Sequence, residues 1–108
     1  MQIKKKYGDI RPELLFDELK DLITKQGVVV DKAKMETYSL PTDSSSFISR
    51  GTLTFKMQDK ECIRSHIIGS ARGETKLLLD IDDSLFQEDK VASFQNDLDF
   101  ILGSYEIK

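Results

Sequence analysis

The sequence predicts an α+β fold of order β-α-β-β-β-β-α, in which a curved, five-stranded antiparallel sheet carries both helices on one face. Three observations predict it. Two segments, beginning at Pro12 and at Ser84, space their apolar residues at helical intervals. Five others show the alternation or the short apolar runs of strands. The connections between residues 28 and 81 are brief turn signals, which join consecutive strands as hairpins. At 108 residues the chain is the length of one domain, so residues 1–108 are read as a single unit.

Residues 2–7 set Ile3, Lys5 and Tyr7 against Gln2, Lys4 and Lys6, a strand whose lysines suit a sheet edge. Gly8 and Asp9 end it. Pro12 fits the first turn of a helix, where its missing N–H costs nothing. Leu15, Phe16, Leu19, Leu22 and Ile23 then build an apolar stripe, and Gly27 suits a left-handed cap. A second strand runs from Val28 to about Leu40. Val29, Ala33 and Met35 share one parity while Tyr38 and Leu40 take the other, so a bulge is expected near Glu36 or Thr37. Pro41 to Ser46 reads as a loop. The third strand, about Phe47 to Gln58, places Phe47, Ser49, Gly51, Leu53, Phe55 and Met57 on one face.

Residues 60–72 admit two readings. As a helix, Asp59 would cap the start and Gly69 the end, but Cys62, Ile63, Ile67 and Ile68 make a poor stripe. As a strand, a hairpin turn at Asp59-Lys60 leads to Ile63, Ser65, Ile67, Gly69 and Ala71 on one face, and this reading is preferred. Thr75, Leu77, Leu79 and Ile81 alternate cleanly as a fifth strand. Ser84 with Gln87 forms a capping box before a helix bearing Val91, Phe94, Leu98, Ile101 and Leu102, which Gly103 should stop. Residues 104–108 read as a tail or a short added strand. Both helices need to bury a stripe, and one shared sheet face accommodates them. The element order is similar to the TATA-box-binding-protein-like and helix-grip groups of folds. The similarity is one of topology, with no shared motif, and it implies a fold and not a function.

Composition narrows the function classes. No apolar run approaches the roughly 20 residues of a membrane helix, and no apolar stretch follows the basic start to suggest a secretory signal. Cys62 is the only cysteine, which suits a reducing, cytoplasmic setting. One cysteine and one histidine are too few for a structural zinc site, so neither metal nor cofactor is expected. Formal net charge of -3 and a pI near 5.1 disfavour a general nucleic-acid binder while leaving room for a local basic face.

No catalytic motif is present. Cys62 and His66 on one strand would stand roughly 13 Å apart, too far for a thiolate–imidazole pair. The acids Asp80, Asp82 and Asp83 lack calcium-loop spacing, and their place before a helix explains them. An enzyme is therefore the least favoured class. Two surfaces stand out instead. Ser49, Gly51, Ser65, Gly69 and Ala71 are small residues on the inward face, with Phe94 and Leu98 of the last helix opposite. They could leave a hollow for a small apolar ligand or peptide, or they could let a bulky helix residue come close. The outward face gathers Lys4, Lys6, Lys32, Lys34, Arg50, Lys56, Arg64, His66 and Lys76, while the helices lean acidic. Such a face could meet nucleic acid or an acidic protein partner, or simply keep the sheet soluble. The preferred expectation is a non-enzymatic binding module using the inward hollow, with the basic face as the alternative. A homodimer through edge strands is also compatible with the pattern.

Overall fold

The computed structural model describes residues 1–40, 43–70 and 73–107. Its elements are β1 (Gln2–Tyr7), α1 (Pro12–Thr24), β2 (Val29–Leu40), β3 (Asp43–Met57), β4 (Lys60–Ser70), β5 (Thr75–Ile81) and α2 (Glu88–Leu102), with a 3-10 turn at Gly103–Tyr105. The strands form one antiparallel sheet in the order β1-β5-β4-β3-β2. The order and class are those the sequence predicts, and residues 60–70 are extended.

Register assigns the paired residues of the middle rungs to one face or the other. One rung runs Ile3, Leu79, Ser65, Leu53, Ala33; the next runs Lys5, Leu77, Ile67, Gly51, Met35; a third runs Tyr7, Thr75, Gly69, Ser49, Thr37. These rungs face the helices. Leu15, Phe16, Leu19, Leu22 and Ile23 of α1 and Val91, Phe94, Leu98 and Leu102 of α2 are buried with them in one core. Two contacts fix how near α1 comes. A Cβ on Gly51 would lie 2.8 Å from Phe16 Cδ2, and one on Gly69 would lie 2.6 Å from Pro12 Cγ and 2.7 Å from Thr75 Oγ1. Side chains at these two sites would push the helix away, so glycine sets the spacing between layers. Thr75 Oγ1 also donates to Ile10 O at 3.0 Å, which ties the chain entering α1 to β5.

Local expectations hold unevenly. Arg11 caps α1 with Pro12 at its first position, and Gly27 takes the left-handed φ of 91°. The bulge in β2 is not at Glu36 or Thr37. The register shifts instead between Val30 and Lys32 and again between Ser39 and Leu40. Asp31 is the extra residue, so Val30 turns inward opposite Phe55 while Val29 is exposed, and Tyr38 stays outward. β3 begins at Asp43, inside the stretch read as a loop. The β3–β4 turn falls on Gln58 and Asp59, both with positive φ, one residue before the expected Asp59-Lys60 pair. The capping box does not form: α2 starts at Glu88 with Gln87 as its cap, and Ser84 gives its backbone N–H and hydroxyl to the Asp82 carboxylate. Gly103 continues into the 3-10 turn with a right-handed φ of −60°. The tail then pairs with β1, as Glu106 bridges Tyr7.

Two substitutions test the layer spacing. Gly69→Ala should lower the free energy of unfolding by about 1–3 kcal/mol, because its Cβ must displace Pro12 or Thr75. Ser65 is fully buried and its hydroxyl has no hydrogen-bond partner. Ser65→Ala should therefore be neutral or stabilising by about 1 kcal/mol. Denaturant titration of both variants measures these effects; an unchanged Gly69→Ala would contradict the close approach.

Candidate functional site: the open face of the sheet

The inward small residues are not left facing empty space at the positions where the contacts are defined. Phe16 sits over Gly51 and Pro12 over Gly69. Ser49 donates to Glu13 Oε1 at 2.8 Å and shares a 3.1 Å hydrogen bond with Thr37. Phe94 and Leu98 are fully buried in the core. Ala71 lies outside the described residues. The second possibility weighed for this stripe, that small residues admit bulky helix side chains, is the arrangement around Gly51 and Gly69.

The other face is open. Its middle rungs run Lys4, Leu78, His66, Thr52, Lys34 and Lys6, Lys76, Ile68, Arg50, Glu36. Across these rungs lies an open hollow of about 670 Å³. Lys4, Lys6, Arg50, His66 and Lys76 line it, with Ile68 and Leu78 supplying an apolar floor. Ile68 is 41% exposed there. Glu106 and Ile107 complete the rim beside β1.

Charge on this face divides into two groups. Lys34 is paired with Glu36 at 2.7 Å, Lys56 with Asp31 at 3.2 Å and Arg64 with Glu61 at 3.0 Å. Hydrogen bonding to Glu36 raises the Lys34 ammonium above its ordinary pKa. By contrast, Lys4, Lys6, Lys32, Arg50 and Lys76 make no salt bridge among the described residues. Lys6 and Lys76 stand directly opposite each other on neighbouring strands, an arrangement that destabilises a sheet unless an anion relieves it. Glu106, the acid at the rim, is engaged by Lys5 at 3.1 Å, which also reaches Asp99 at 3.4 Å. Partial burial pulls the Lys5 ammonium down, but hydrogen bonds and charge attraction from Glu106 and Asp99 outweigh it and hold its pKa high. Burial, with these same carboxylates adding to it, pushes the Tyr7 phenol well above its usual range and keeps it neutral. Lysines 4, 5 and 6 thus split by strand parity: the inward one is neutralised by acids and the outward two face the hollow.

A second, polar hollow of about 500 Å³ lies at the far end of the sheet, beside Met1, Glu61, Cys62, Arg64, Asp80 and Asp82. Its carboxylates do not converge. Among the described residues no three His, Cys, Asp or Glu side chains come together as metal ligands. Cys62 is the extra residue of a β4 bulge between Ile63 and Glu61, buried within the sheet and not at an edge. Its thiol is 3.6 Å from Phe55 O, and burial, together with the carboxylates of Asp82 and Glu61, raises its pKa. His66, on the open face, is separated from it by three residues of strand. Asp82 is fixed by Ser84 hydrogen bonds, which lower its pKa. None of these groups is arranged as a nucleophile with a base.

Strand parity places the cations on this face, but it reveals neither the hollow between them nor the apolar floor at Ile68 and Leu78. The signal for the floor was present, since Ile68 and Leu78 break the polar parity of their strands. No protein-family model matches the chain, and no curated protein or solved structure matches it. Among the described residues no helix is long and apolar enough to cross a membrane.

The raised pKa and burial of Cys62 should make its thiol inert in the folded protein. A colorimetric disulfide reagent at pH 8 should react fully only after denaturation; rapid stoichiometric reaction of the native protein would contradict the assigned environment.

Proposed function

We propose that the protein is a non-enzymatic interaction module that receives an acidic, partly apolar protein segment in the hollow of its open sheet face. The observation that carries this reading is the juxtaposition of Lys6 and Lys76 above an exposed Ile68, with no acid among the described residues paired to either lysine. A face needed only for solubility gains nothing from like charges placed opposite each other. A volume of about 670 Å³ suits a few side chains of a bound segment. The apolar floor at Ile68 and Leu78 favours a protein segment over a phosphate backbone. Tyr38 is the exposed aromatic of the outward face, short of the stacking series that single-strand binders use. The unpaired Cys62 is consistent with a reducing compartment such as the cytoplasm. The inward reading, a ligand between sheet and α2, has weaker support because Phe16 and Pro12 occupy the space over Gly51 and Gly69.

A labelled peptide of alternating glutamate and leucine serves as the probe, with a lysine–leucine peptide and a mixed-sequence DNA strand for comparison. Fluorescence anisotropy should show salt-sensitive binding of the acidic peptide alone. Lys76→Glu should weaken it at least about fivefold. The same substitution should stabilise the fold by a few tenths of a kcal/mol, because it relieves Lys6 (~0.2–1 kcal/mol per cross-strand pair). Absence of peptide binding, or binding indifferent to Lys76→Glu and Arg50→Glu, would overturn the proposal. Preferential binding of the DNA strand would overturn it in favour of a nucleic-acid partner.

A further inference from the structure

We propose that two copies of this chain join edge to edge through β2, antiparallel and centred on Met35, merging two five-stranded sheets into one. The two sheet edges differ. The chain's own tail occupies part of the β1 edge: Gly8 N–H donates to Tyr105 O at 2.7 Å and Ile107 N–H donates to Lys6 O at 2.9 Å. The outer side of β2 pairs with no strand among the described residues. β2 spans twelve residues, and its pairing is regular from Lys32 to Ser39, between its two register shifts. An exposed edge of this length is a template for another strand.

Symmetry and charge then select the register. A two-fold axis perpendicular to the sheet keeps both helical layers on the same side. Facing residues must then share a face, so the axis lies between one residue and its own copy, level with that residue and not midway between two sequence neighbours. Centring on Ala33 sets Lys32 against Lys34 twice. Centring on Lys34 sets it against its own copy, although Lys32 then meets Glu36 twice, and centring on Glu36 sets that residue against its own copy. Centring on Thr37 forms no opposite-charge pair. Centring on Met35 places Lys34 opposite Glu36 of the second copy at two symmetric positions, with no like charges facing. Lys32 then faces Tyr38, which is 49% exposed and offers an aromatic face to a cation. Within one chain Lys34 and Glu36 already touch at 2.7 Å, so the dimer would hold four alternating charges in a square. Lysines on an edge repel most partner strands. In this register each lysine of the pair meets an acid, and the same charges that reject other pairings admit this one.

Lys34 and Glu36 are outside the hollow, so this assembly stands or falls apart from the proposed partner. Sedimentation velocity of the full chain over a concentration series tests it. The wild type should show a concentration-dependent monomer–dimer equilibrium. Lys34→Glu and Glu36→Lys, each placing like charges opposite twice, should each weaken the dimer about tenfold. The double variant Lys34→Glu/Glu36→Lys should restore it, with circular dichroism unchanged throughout. A wild type that stays monomeric to its solubility limit would overturn the proposal. So would single variants that dimerise like the wild type, or a well-folded double variant that fails to recover.

Discussion

The close approach of α1 to the sheet at Gly51 and Gly69 is the constraint on which the rest of the structure depends. Phe16 and Pro12 reach almost to the backbone there, so the helix lies flat on the inward rungs and its apolar stripe is covered from end to end. With α1 seated, Glu13 can take the Ser49 hydroxyl, and Gln26 at the end of the helix can reach Asp97 of α2. Both helices share one face as a consequence. The opposite face carries no helix and holds the open hollow.

This division of faces also sorts the charge. Strand geometry alternates side chains, so three consecutive lysines of β1 cannot share a fate. Lys5 points toward the acidic helix side and is held by Asp99 and Glu106. Lys4 and Lys6 point away, join Lys76 and Arg50, and gather around Ile68 and Leu78. A protein of negative net charge thereby carries a hollow lined by cations. The inward polar groups, by contrast, are hydrogen-bonded to neighbours or, like Ser65, sealed away.

The sequence made the architecture legible because each long element carried its own period. The α1 stripe and the alternation of β5 are strong local signals, and β4 was resolved by the poverty of its helical stripe. What escaped depended on neighbours. The expected bulge at Glu36 or Thr37 followed from the parity of Tyr38 and Leu40. The structure accommodates Tyr38 by exposing it, and it uses Asp31 as the extra residue so that Val30 meets Phe55. Ser84 had the letters of a cap, but Asp82 competes for it and moves the helix start to Glu88. Phe86 is fully buried from a turn, and Phe100 is 90% exposed on a helix; neither place follows from local pattern. For the site, strand parity located the basic residues. The hollow among them is lined by residues of four strands and the tail, which no single strand encodes.

β4 is an extended, interior strand with one face sealed by helices and the other open. Paramagnetic broadening of side-chain nuclear resonances by a small soluble relaxation agent tests it most directly. A two-residue alternation is expected: Ile68 and His66 strongly broadened, Ile67 and Ser65 protected. Equal broadening of Ile67 and Ile68, or protection that recurs with a helical period along residues 60–70, would contradict it.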